Sequence, residues 1–223
     1  MPLRIASGSS KTCPMKSILM PICAALALGG CGLAAPVAAP EPVERGVSWR
    51  EIATDEDRER LRGWRDAWVQ ALAKARAAGH GAEIAREGAL LQPDSALAWS
   101  DLPEGQYRCR VIKIGGKSAG MLNYLAYPTF SCRLRSENGV LSFAKLAGSQ
   151  RPIGLFLPDN GRRMVFLGTL QLGDESIPLR YGRDRERDMA GVIERVGERR
   201  WRLALPFPHF ESTLDVIELI PAG

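Results

Sequence analysis

From Tyr107 to Ile220 apolar residues recur at every second position in short runs, and most runs end on a turn signal. That period sends alternate side chains to opposite faces of an extended chain, so one face can be buried while the other meets water. The runs are Tyr107 to Val111, Phe130 to Leu134, Val140 to Leu146, Ile153 to Leu157, Met164 to Leu172, Ile177 to Tyr181, Ala190 to Val196, Trp201 to Leu205 and Leu214 to Ile220. Ser136-Glu-Asn-Gly139, Pro158-Asp-Asn-Gly161, Gly173-Asp174 and Gly197-Glu198 stand between runs and suit tight turns. No helical period interrupts the series. Eight or nine strands in sequence predict a mainly β fold, an antiparallel meander closed or partly open as a barrel, with a sandwich as the alternative. Closure is favoured because it removes exposed strand edges.

The segment 48–104 has a different period. Thr54-Asp-Glu-Asp57 can cap a helix, with Thr54 at the cap, Asp57 reaching back, and Asp55 and Glu56 suited to the positive helix start. Leu61, Trp64, Trp68 and Leu72 follow at spacings of three and four and share one helical face. Gly79 and Gly81 end that helix, and a shorter one is predicted from Ala82 to Leu91, before Pro93. An aromatic stripe at this spacing reads as packing surface rather than a binding shelf. One or two helices are thus expected to form an N-terminal layer on a barrel spanning 105–223.

Upstream of both lies a leader pattern. Lys16 precedes an apolar run from Ser17 to Leu28 that contains Pro21 and ends at Gly29-Gly-Cys31. The run is short of the about 20 apolar residues a membrane span needs, and its flanks are those of a signal peptide. Residues 1–30 are therefore expected to be a signal peptide, with Met15 as the true start. Leu28 followed by small residues and Cys31 resembles the bacterial lipobox, which implies that Cys31 becomes the lipidated first residue of the mature chain. Residues 31–47, rich in Pro and Ala, read as an extended tether. Gly32 after the cysteine, rather than aspartate, points to the outer membrane of a Gram-negative bacterium, with the domain facing the periplasm.

The chain carries 30 Lys and Arg against 25 Asp and Glu, but three of the basic residues (Arg4, Lys11, Lys16) and no acidic ones precede Cys31. The mature balance falls to +2. Such a surface gives no electrostatic case for nucleic acid. Of five cysteines, only Cys109 and Cys132 remain after the leader and the lipid site. Parity places Tyr107, Cys109 and Val111 on the inner face with Arg108 and Arg110 outside, and Phe130, Cys132 and Leu134 inside with Ser131 and Arg133 outside. Both sulfurs then face the core, and a cross-strand disulfide is expected, with two free buried thiols as the alternative.

Gly148-Ser-Gln-Arg-Pro-Ile-Gly154, Tyr181-Gly-Arg-Asp-Arg-Glu-Arg-Asp188, Gly191-Val-Ile-Glu-Arg195 and Trp201-Arg-Leu203 resemble a family of bacterial lipobox proteins known as a domain of unknown function. The likeness runs from about Trp49 to the end and implies no activity. Gly105-Gln-Tyr107 is similar to the Gly-x-Trp opening of calycin barrels, with tyrosine in place of tryptophan. Tyr107-Arg-Cys109 resembles the opening of small lysozyme-inhibitor lipoproteins, and Ser118-Ala-Gly120 resembles part of their inhibitory loop.

Chemistry-bearing patterns are sparse. His80 lies in a glycine turn and His209 in Pro206-Phe-Pro-His-Phe210, and neither belongs to a nucleophile elbow, a zinc spacing or a Cys/His constellation. Asp184 to Arg195 has Met189 and Arg195 where a calcium loop needs glycine and glutamate. No metal and no cofactor are predicted. The best candidate surface is Arg183, Asp184, Arg185 and Arg187 after Tyr181, with Gln150 and Arg151, whose guanidinium forks suit an anionic group. A charge run of this kind is more commonly a solvated face. The expected role is non-catalytic: a monomeric envelope lipoprotein that binds a small apolar molecule, a lipid or an envelope protein. The alternative is a protein inhibitor of a cell-wall hydrolase, and the third reading is an enzyme.

Overall fold

The computed structural model describes residues 47–223. The expected leader, the lipid site Cys31 and the tether, apart from its last residue Val47, lie outside the described residues. Eight strands follow one another in sequence: β1 Gly105–Gly116, β2 Tyr124–Glu137, β3 Val140–Lys145, β4 Gln150–Asn160, β5 Arg163–Leu172, β6 Asp188–Gly197, β7 Arg200–Pro206 and β8 Ser212–Pro221. Each pairs antiparallel with the next and β8 pairs with β1, so the sheet closes into a barrel and the sandwich alternative falls away.

One expected strand is absent. Ile177 to Tyr181 lies in the β5–β6 connection, with Ile177 78 % exposed. Pro178 lacks a backbone donor, and the closed barrel offers this segment no free edge. Conversely, β1 and β2 run well beyond their apolar cores, because closure gives β1 a partner along most of its length, from Tyr107↔Pro221 to Gly116↔Ser212. The β2–β3 turn is the two-residue Asn138-Gly139, both at positive φ, as a tight hairpin requires.

Parity holds through the barrel. Cys109 and Cys132 are fully buried inside and form a disulfide, with Cα atoms 5.9 Å apart on diagonal register positions. One half of the lumen is solid. Phe143, Phe156 and Phe166 pack there in tilted and edge-to-face pairs with ring centroids 5.6–6.0 Å apart, beside Trp201 and Ile193. Gly154 and Gly168 face each other across β4 and β5, and a Cβ on either would lie within 2.3 Å of the opposing strand's carbonyl oxygen and within 2.7 Å of the Phe166 ring. Glycine is required there for that ring to lie against the wall. At the same end, Leu97 and Trp99 donate their backbone N–H groups to the carbonyls of Arg195 and Gly161, and Trp99 and Leu102 pack on the lumen cluster. The linker between helices and barrel thereby closes that end.

The helical layer covers the outside. It comprises α1 Trp49–Ile52, α2 Asp55–Arg62, α3 Trp64–Ala77 and α4 Gly81–Glu87, followed by a 3-10 turn at Gly88–Leu91. The expected long helix breaks at Gly63, so its apolar stripe serves two patches. Leu61 packs with Trp49 on Val165, Leu167 and Val192, whereas Trp68 and Leu72 pack on Ile112, Ile114, Leu214 and Val216. The curvature of a barrel explains the break, since a straight helix can touch only one strip of a convex surface. Thr54 caps α2 as expected, accepting from Asp57 N at 3.2 Å. Asp57 does not reach back to the Thr54 N–H, which instead donates to Tyr181 Oη at 3.1 Å. The Asp57 carboxylate accepts from the Tyr181 hydroxyl and from Thr54 Oγ1.

Candidate functional site

The other half of the lumen is a cavity of about 150 Å³, walled by Val111, Leu170, Met189, Leu205 and Ile217 and rimmed by the β3–β4, β5–β6 and β7–β8 connections. Gly148, Ser149, Phe210 and Glu211 at this rim are exposed, so the cavity opens to solvent. Among these apolar walls stand three charged residues at inward positions: Lys113 on β1, Lys145 on β3 and Asp215 on β8.

Two of the three satisfy each other. Lys113 and Asp215 are direct register partners, with Nζ 3.0 Å from Oδ2, and Glu211 adds a second carboxylate 3.0 Å from the same ammonium. Burial opposes the Lys113 charge, but the two carboxylates outweigh it and its pKa is raised. Burial also presses the Asp215 carboxyl upward, and Ser212 Oγ donates to its other oxygen.

Lys145 is different. Its side chain is enclosed, the residue being 4 % exposed, and its Nζ donates to the carbonyls of Ala147 at 2.6 Å and Gln150 at 2.9 Å. The ammonium lies 3.8 Å above the Phe130 ring. Among the described residues no carboxylate pairs with it. Burial, with Arg151 and Lys113 nearby, pulls its pKa down to about 8. Gly148, at φ +91°, shapes this corner: a Cβ there would lie 2.7 Å from Lys145 Nζ and 3.2 Å from Phe130. The lysine therefore depends on a backbone conformation that glycine adopts without strain.

A lowered lysine pKa has a definite sign in the stability curve. The folded state then binds fewer protons than the unfolded chain between pH about 8 and the ordinary lysine value of about 10.4, so the cost of burying the ammonium is present below pH 8 and is relieved as pH rises through that window. Urea unfolding at pH 7 and pH 10 should show Lys145→Met gaining stability over the parent at pH 7 and losing that advantage at pH 10. An advantage that does not depend on pH would show the burial cost to be absent.

The surface proposed from sequence does not assemble as one fork. Gln150 reaches the rim, but its carbonyl serves Lys145. Arg151 points outward and donates to the carbonyls of Leu172 and Glu175, both at 2.8 Å, and of Gly173 at 3.3 Å, pinning the start of the β5–β6 connection. Tyr181 is committed to Thr54 and Asp57. Asp184 accepts from Glu186 N at 3.1 Å, and Arg187 pairs with Glu175 and, at 3.4 Å, with Asp184. Arg183 and Arg185 remain as exposed heads. Most of the charge run thus ties its own loop together, and of its members Glu186 lines the cavity. Lys113, Lys145 and Asp215 were missed, although parity carried one step past Cys109 and Val111 places Lys113 inside, and an aspartate between Leu214 and Val216 breaks an apolar strand in the same way.

Fold and cavity together define a closed eight-stranded antiparallel barrel with one sealed, packed end and one open, charged mouth. The chain belongs to the family described as Domain of unknown function (DUF4893), which matches residues 49–219. Neither a curated protein nor a solved structure matches the chain.

Proposed function

We propose that this protein is a periplasm-facing envelope lipoprotein, anchored through Cys31 in the outer membrane, whose barrel mouth holds a small, partly apolar molecule in a non-catalytic role. The observation that supports it is the division of the lumen. Buried side chains fill one half, while the other half keeps a cavity of about 150 Å³ behind an apolar wall. A barrel that served only as a scaffold for loops gains stability by filling that space, since unfilled apolar volume forfeits packing contacts. A few charged groups convergent on an apolar concavity are the usual composition of a ligand site.

Native mass spectrometry of the protein extracted from its own envelope tests the reading. A bound small molecule that is lost when Gly148 is replaced by valine is expected. A stoichiometric complex with a cell-wall hydrolase and no small molecule would favour the inhibitor alternative instead. Metabolic labelling with a palmitate analogue tests the anchor, and a Cys31→Ala chain that still takes up the label would refute it.

A further inference from the structure

We propose that the mouth is selective for a small monoanion with an apolar body, its anionic group seated on Lys145 Nζ and its body lying on Phe130 and the aliphatic wall. The inference rests on the reading of the mouth as a ligand site and adds the class of ligand. The cation supply at the mouth is asymmetric. Lys113 is consumed by Asp215 and Glu211, each at 3.0 Å, whereas Lys145 is buried and, among the described residues, has two neutral carbonyls and a ring face as its partners. An ammonium has three donors, so two carbonyls leave one N–H to direct toward a ligand. A buried cation without a counter-ion is costly, and an incoming anion relieves that cost while gaining a charge-assisted hydrogen bond.

The surrounding charges narrow the class. Burial is the main reason the Lys145 pKa is lowered, and Arg151 on β4 and Lys113 on β1 add positive potential there that lowers it further and favours an anion beside it. Glu186 from the β5–β6 connection, and Glu211 with Asp215 from the opposite wall, line the same cavity with negative charge. One negative group fits at Lys145; a second on the same ligand meets these carboxylates, which disfavours phosphate monoesters and dicarboxylates. Size narrows it further. The cavity of about 150 Å³ matches the volume that holds a benzene-sized body. An aryl or short acyl monocarboxylate meets each condition.

Three near-isosteric probes separate the terms: benzoate, benzamide and benzylamine, titrated into the full chain and followed by calorimetry and by NMR of the lysine side chains. At pH 7 benzoate should bind about tenfold more tightly than benzamide, the equivalent of one charge-assisted contact, and benzylamine should bind more weakly than either. Benzoate affinity should fall about tenfold between pH 7 and pH 9.5 as Lys145 loses its proton, with benzamide affinity unchanged. Lys145→Met should abolish the preference for benzoate while retaining benzamide, and Lys145→Arg should retain it. Equal binding of benzoate and benzamide by the parent chain, or a preference that survives in Lys145→Met, overturns the anion assignment and leaves the ligand-site reading standing. Failure of all three probes at millimolar concentration overturns both. The pH arm uses the parent chain alone, so the test survives a variant that does not fold.

Discussion

Replacing Arg202 by alanine should destabilise the domain by about 4 kcal/mol, within the range for removing one partner of a buried ion pair. Arg202 projects from the outer face of β7, is 0 % exposed, and bonds Glu194 Oε2 through Nε at 2.9 Å and Nη2 at 2.7 Å. Its remaining donors reach the carbonyls of Ala89, Leu90, Gln92 and Pro93, at 2.5–3.2 Å. Those carbonyls end the 3-10 turn Gly88–Leu91, where a helical segment has run out of its own donors. One guanidinium therefore neutralises a buried carboxylate, caps a helical end and holds the helical layer to the barrel, with its Cζ 4.8 Å from the centroid of the Trp68 ring. Alanine leaves Glu194, 3 % exposed, buried without its cation and takes the guanidinium donor from the buried carbonyl of Leu90. Urea denaturation should report the loss, and melting should fall by about 10 °C for a domain of this size. Glu194→Ala should be comparably destabilising, and the double variant Arg202→Leu/Glu194→Leu should recover a large part, because an apolar pair leaves no uncompensated charge. A cost below about 1 kcal/mol for Arg202→Ala would mean that water enters and replaces the guanidinium.

Removing the disulfide should have the next largest effect. Cys109 and Cys132 are separated by 23 positions, and a cross-link over such a loop lowers the entropy of the unfolded chain by the equivalent of about 3 kcal/mol in the chain-entropy model. Cys109→Ala with Cys132→Ala should therefore lower the unfolding free energy by about that amount. Both sulfurs are fully buried in the lumen, so the small cavity left by the double change adds to the loss. Far-ultraviolet circular dichroism at room temperature should be unchanged, since the β1–β2 ladder is held by its own register of backbone bonds. Mapping both thiols as free in protein taken from its native compartment would remove the basis for this expectation.

Period two and turn chemistry carried most of the barrel. The Asn138-Gly139 hairpin, the short turns and the inward alternation through Tyr107, Cys109 and Leu134 are local properties, and local properties survive translation from sequence to structure. Ile177 to Tyr181 misled because its apolar content matches a strand while its backbone has no partner to pair with. The helix break at Gly63 was hidden for a related reason, since a 3.6-residue period records which face is apolar but not the curvature of the surface it must cover.

The sequence by itself determined the class: a meander of short strands, a helical layer before it and two core-facing cysteines. Tertiary structure decided the site. Whether a charged side chain is free or spent depends on neighbours far along the chain, as Arg151 is spent on Leu172 and Glu175 and Lys113 on Asp215, one hundred and two positions away. Arg183, Arg185 and Arg187 stand out in the sequence because their charges are dense, yet density along the chain is not convergence in space. Lys145 is one of six lysines along the chain until closure of the barrel buries it beside Phe130 and Gly148, with no carboxylate paired to it among the described residues, and burial is a property that only the assembled wall confers.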